Sequence, residues 1–139
     1  MKGITKTLAY LLEAPQAWIF RSMGPMILAR RDSGTGSLQI STAFRHDLRG
    51  AQSPEACLAL AQEFVSRAGI SEPFDATQVA DGGWLFGGFS YTVGEEFGRL
   101  WYCMAHGQLV LGVYACSRQN QQASEISECE SIMKSAHYA

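Results

Sequence analysis

Between residues 76 and 116 apolar positions recur every second residue in four runs, roughly 76–80, 83–92, 97–105 and 108–116. A period of two predicts strands. The runs are separated at Asp81-Gly82, Gly94-Glu95 and His106-Gly107, each with a glycine where a tight hairpin needs positive φ, so the strands are expected to form an antiparallel meander. Two-residue turns at Gly94-Glu95 and His106-Gly107 fix the register, and with it the side-chain faces. One face collects Leu85, Phe89, Tyr91, Leu100, Tyr102, Met104, Leu109, Leu111, Val113 and Ala115, and is expected to be the core face beneath the helices. The other collects Trp84, Phe86, Gly88, Ser90, Arg99, Trp101, Cys103, Val110, Gly112, Tyr114 and Cys116. On this register Trp101 lies between Gly88 and Gly112, so the glycines of "GGWLFGGFSYTV" make room for the protein's own ring.

The pattern before and after the meander is less uniform. Ile4, Leu8, Leu11 and Leu12 have helical spacing while Leu8, Tyr10 and Leu12 also alternate, so the first segment reads equally as helix or strand up to Pro15. "WIFRS" and "PMILARR" read as short strands around the Gly24-Pro25 breaker, and "RRDSGTGSLQISTAFRH" as a hairpin. With a loop from Asp32 to Gly36, Leu28 is expected beside Ile40 and Met26 beside Thr42, with Leu38 and Ile40 facing inward and Gln39 and Ser41 outward. A helix follows, with Ser53 as N-cap, Pro54 at its first position and Gly69 as its stop. Its apolar stripe, including Leu60, Phe64 and Val65, is expected to lie on the sheet. A last helix runs from about Asn120 to Lys134 with Ile126, Cys129, Ile132 and Met133 on one face, and the tail "SAHYA" can return as an edge strand. The expected fold is therefore α+β: a single domain over residues 1–139 with a twisted, mostly antiparallel sheet of about six strands and two principal helices packed on one face.

Composition changes the picture little. With 139 residues, 47% apolar and 17% charged, the chain has the make-up of a globular domain. Its formal net charge is −2, but residues 1–50 carry seven Lys/Arg against three acids and the remainder four against ten. An acidic balance argues against a nucleic-acid partner, which calls for a basic stripe. Glu13 cuts the N-terminal apolar run at five residues, short of the roughly 7–15 of a secretory signal, and no stretch approaches the ~18 of a membrane span. A cytoplasmic location is expected. The cysteines, Cys57, Cys103, Cys116 and Cys129, form no C-x-x-C pair and read as reduced, buried thiols. Cys103 and Cys116 share a face but fall ~20 Å apart along it, too far for a disulfide.

Candidate chemistry is sparse. "RRDSGTGS" lacks the lysine and following helix of a phosphate-binding loop, and Cys103 with His106 makes only one ligand pair for a zinc ion. His46, His106 and His137 have no nucleophile elbow near them, and Glu125, Glu128 and Glu130 suit the dipole at the start of the last helix. No catalytic residue, metal site or cofactor is assigned. The second sheet face, by contrast, has the aromatic make-up of a protein-binding patch, with Trp84, Phe86, Trp101 and Tyr114 as anchors and Arg99 as a polar handle.

The order of elements, with "APQAW", "GSLQIS", the meander "WLFGGFSYTV…FGRLWYCMAHGQLVLGVYAC" and the closing "EISECESIMKSAHY", resembles the PsbP-like group of small α+β proteins. That group takes in photosystem extrinsic subunits, a nuclear import factor that binds the Ran GTPase, the DcrB lipoproteins, and chaperones or immunity-type proteins of bacterial secretion systems. The resemblance implies a non-enzymatic protein-binding module, such as a bacterial immunity or secretion-associated adaptor, and transfers no functional residue. Its expected partner is another protein, a toxin or secreted effector among the candidates, or a second copy as a homodimer burying the aromatic face. The alternative is a small-ligand binder or unrecognised enzyme with a cleft between helix and sheet, using Tyr91, Tyr102 or His106.

Overall fold

The computed structural model describes residues 2–6, 10–15, 17–23, 26–32, 34–44, 74–81, 84–105, 108–135 and 137–138. The strands are β1 (Lys2–Lys6), β2 (Tyr10–Pro15), β3 (Trp18–Met23), β4 (Met26–Arg31), β5 (Ser37–Phe44), β6 (Phe74–Asp81), β7 (Trp84–Val93), β8 (Glu96–Ala105), β9 (Gln108–Ser117) and β10 (His137–Tyr138). One α-helix, α1 (Ala123–Lys134), follows a single 3-10 turn at Arg118–Asn120.

Two meanders, β3-β4-β5 and β6-β7-β8-β9, join where β5 pairs with β9, giving a seven-stranded antiparallel sheet in the order β3-β4-β5-β9-β8-β7-β6. β1, β2 and β10 form a separate antiparallel three-stranded sheet. This corrects the expected single sheet of about six strands under two principal helices. The physical reason lies at the N-terminus: the segment with two competing periodicities pairs with itself as β1–β2 and takes β10 at its other side, while Trp18–Met23 pairs along its whole length with β4. Among the described residues α1 is the only α-helix. The helix expected from Ser53 to Gly69, and with it Cys57, lies outside the described residues. No helix among the described residues is long and apolar enough to cross a membrane.

The meander register is the one its turns dictate. Leu85 pairs with Met104, Trp101 with both Gly88 and Gly112, and Glu96 with Ser117. Gly94 adopts φ 55°, the left-handed conformation the turn requires.

The cover is the opposite of that expected. Helix α1 packs on the face of Phe86, Trp101, Cys103, Val110, Tyr114 and Cys116, and these residues form one core with Trp18, Ile27, Ala29, Leu38 and Ile40 from the sheet and Cys129, Ile132 and Met133 from the helix. A seat for the helix explains the choice: a Cβ at Gly112 would run into the Met133 thioether, so the bare backbone of β9 is what admits that side chain. The expected core face is buried too, at Leu85, Phe89, Leu100 and Tyr102.

The first hairpin is shifted by one residue. Ile27, not Leu28, pairs with Ile40, and Met26 pairs with Ser41, which turns Ile27 and Ala29 into the core. A carboxylate from α1 holds the loop of the hairpin in this register. Its Glu125 sits within the β4–β5 loop, accepting hydrogen bonds from the backbone N–H groups of Thr35 (3.2 Å) and Gly36 (2.8 Å).

Candidate functional site

Helix α1 has no side-chain hydrogen bond at its N-cap, Gln122, but Glu125 lies in its first turn and Lys134 in its last, the arrangement that suits the helix dipole. Glu125, Cys129, Ile132 and Met133 line its buried face at the spacing of an amphipathic helix. Three of its glutamates each meet an aromatic donor of the sheet. Glu128 accepts from the Trp18 indole N–H (2.5 Å), Glu125 from the Tyr114 hydroxyl (2.8 Å), and Glu130 from the Trp101 indole N–H (3.4 Å). Arg31 adds ion pairs to Glu125 (3.5 Å) and Glu128 (3.3 Å) and donates to Gln122 (2.6 Å). Glu125 is 0% exposed, yet its two oxygens are met by Thr35, Gly36, Tyr114 and Arg31. A carboxylate met in this way from a loop, a strand and a guanidinium holds structure together.

Sequence reasoning placed these glutamates only with the helix dipole. The signal that points to them is the buried aromatics themselves, because a buried Tyr O–H or Trp N–H requires an acceptor.

Three of the four sequence-predicted aromatic anchors are thus core residues. Trp101 and Tyr114 are 0% exposed, Phe86 is buried, and of Trp84 only the strand position is described: it opens β7 opposite Asp81. Arg99 is 8% exposed, stacks 5.7 Å from the Trp101 ring centroid and donates to Ser90 Oγ (2.9 Å), the Asp75 carbonyl (3.1 Å) and Thr77 Oγ1 (3.3 Å). Burial lowers its pKa, against the opposing pull of Glu130 and Asp75. The expectation of an open aromatic face is therefore corrected: α1 occupies it.

The groups of the cleft reading are also dispersed. Tyr91 and Tyr102 lie on the face away from α1, Tyr91 packed against Gly98 and Tyr102 against Gly87, where the Tyr102 hydroxyl donates to Gln78 (2.7 Å). Burial, and then Glu96, raise the Tyr91 pKa. His106 lies outside the described residues. Cys103, Cys116 and Cys129 are free and buried, and burial raises the thiol pKa of Cys116 and strongly that of Cys129, which keeps both protonated and unreactive near neutral pH. No group of three His, Cys, Asp or Glu able to hold a metal ion occurs among the described residues.

What the described surface offers is at the two ends of the sheet. Its exposed large hydrophobic residues are Ile19 (52%), Phe74 (42%) and Val79 (54%). Ile19 belongs to β3 and the other two to β6, the two edge strands of the seven-stranded sheet. An edge strand carries a row of unpaired main-chain donors and acceptors, and apolar side chains along it make it a template for another strand. The edges differ. β6 breaks register between Phe74 and Thr77, with Asp75 at φ 53°, whereas β3 pairs without interruption from Trp18↔Arg31 to Met23↔Met26.

No protein-family model matches the sequence, and no curated protein matches it. Among solved structures, a protein of Bacteroides thetaiotaomicron VPI-5482 superposes with a TM-score of 0.60 at 14% identity over 94% of this chain. This chain spans only 45% of that one. A single-residue mutant of the protein Mog1 superposes with a TM-score of 0.61 at 12% identity, over 99% of this chain and 95% of its own. At these identities the likeness is one of fold, and over nearly its whole length the chain is similar in fold to Mog1.

Proposed function

We propose that the chain is a non-enzymatic protein-binding module that takes a partner polypeptide at an edge of its seven-stranded sheet. The observation that carries this reading is the confinement of the exposed large hydrophobics of the described surface, Ile19, Phe74 and Val79, to the two edge strands. Strand addition obtains affinity from main-chain hydrogen bonds and specificity from alternate side chains, and both are on offer there. The polar groups point the same way, since Glu125, Arg99 and Tyr114 are spent on internal contacts. The resemblance to the PsbP-like group implies the same kind of activity, and an adaptor or immunity-type protein is the form it would take.

Site-specific photo-crosslinking in the cell that makes the protein tests this. A photoreactive residue at one of the two edge positions, 19 or 79, is expected to capture a partner polypeptide, and one at Ser131, on the exposed side of α1, to capture none. Crosslinks at Ser131 alone, or none at either edge, would overturn it.

A further inference from the structure

The two edges differ in charge as well as in regularity. Ile19 and Arg21 of β3 lie on the face away from α1, and their partners across the ladder, Arg30 and Leu28, lie on that face too. Arg21 and Arg30 are diagonal neighbours, with Cβ atoms about 7–8 Å apart at most. Both are exposed, and neither makes an ion pair or hydrogen bond among the described residues. At the other end of the sheet β6 carries Asp75 and Asp81, and its bulge is a device that turns an edge away from new partners.

We infer that β3 is the docking edge, and that its occupant is an extended acidic segment of another protein, added as an eighth strand with carboxylates at alternate positions facing Arg21 and Arg30. This rests on the strand-addition reading above. Carboxylates two residues apart along the added strand stand about 6.8 Å from each other, one beside Arg21 and the next beside Ile19, across which its side chain reaches toward Arg30 on β4. Ile19, on the same face between the added strand and Arg30, is covered by the aliphatic parts of those side chains. A second copy of this chain is the wrong occupant: two-fold antiparallel pairing of β3 with itself gathers four guanidinium groups, Arg21 and Arg30 of each copy, on one face, and like charges facing each other across an interface repel. An acidic segment has the opposite consequence at each edge, attracted to Arg21 at β3 and repelled by Asp75 at β6.

The test is a titration of the full, isotope-labelled chain, followed by NMR, with a capped octapeptide of alternating Glu and Val. Amide shifts concentrated in Trp18–Met23 are expected, weakening as salt is added. Arg21→Glu, a surface change that leaves the fold intact, is expected to weaken binding about fivefold or more and to shift preference to the matching Lys and Val peptide. Equal binding of the Lys peptide by the native chain, shifts centred on β6, no shifts at the highest soluble peptide concentration, or equal binding of a single-stranded oligothymidylate at β3 would each overturn the assignment. If these fail while position 79 still crosslinks a partner, the general reading survives and only the choice of edge and charge is lost. If both edges fail to crosslink, both are lost.

Discussion

Glu125 and Tyr114 meet at 2.8 Å inside the protein, the carboxylate on α1 and the hydroxyl on the central strand β9. The pair links three parts of the chain, because the same carboxylate also holds the β4–β5 loop through Thr35 and Gly36 and faces Arg31. Glu125→Ala is therefore expected to leave the buried Tyr114 hydroxyl and the N–H groups of Thr35 and Gly36 without their acceptor and to take from Arg31 one of its two carboxylates, a loss of about 3–5 kcal/mol by analogy with broken buried pairs. Chemical denaturation measures the loss. Hydrogen exchange on the same variant is expected to show the amides of Thr35 and Gly36 exchanging sooner than those of β8, since the loop loses its acceptor while the sheet ladder does not.

Glycines in the meander separate two kinds of cost. A Cβ at Gly88 would come within 2.7 Å of the Leu100 carbonyl and 2.9 Å of Trp101 Cδ1, the first of which is backbone and cannot turn aside. Gly88→Ala is expected to destabilise by about 1–3 kcal/mol through overpacking. At Gly94 the space is open, with nothing within 4 Å, but φ is 55°. Gly94→Ala is expected to cost about 1 kcal/mol by strain alone, and Gly94→Asn less, because asparagine tolerates that conformation. Thermal melts of the three variants order them, and equal losses at Gly94 for Ala and Asn would remove the strain account.

The strands of the meander were legible because their turns are short and marked by glycine, and a short turn leaves one register. Pairing by sequence arithmetic put Trp101 between Gly88 and Gly112, where it is. Which face the helix covers was not legible, because β7, β8 and β9 carry large apolar residues in both phases: Leu85 and Phe89 on one side, Phe86 and Trp101 on the other. Alternation identifies a solvated face only when one exists. The first hairpin slipped by one residue for a different reason, since the group that shapes its loop, Glu125, comes about 90 residues later in sequence. The buried role of that glutamate had one local sign, its place four residues before Cys129 on the apolar stripe of α1. The edge site had none, because edge status belongs to the whole sheet order and Ile19 is an ordinary strand residue until β3 is seen to have one neighbour.

Alkaline pH is expected to destabilise the protein through its buried neutral acids, the thiols of Cys129 and Cys116 and the Tyr114 phenol. Burial is the leading cause of the raised pKa at Cys129, with Glu125 and Glu128 adding to it, and burial likewise leads at Tyr114 and Cys116. An acid whose folded pKa is raised stays protonated in the native state while its unfolded counterpart ionises, so the unfolded chain binds fewer protons and stability falls as pH rises. For the thiols the stabilisation is full below the ordinary value of 9.0 and declines above it. Each such group contributes a slope of about −1.4 kcal/mol per pH unit while only its unfolded form is ionised. Denaturation midpoints between pH 7 and pH 11 measure the slope, and Cys129→Ala, which removes a titrating group and not merely volume, is expected to flatten it while lowering stability at neutral pH. An unchanged slope in that variant would assign the alkaline loss to other groups.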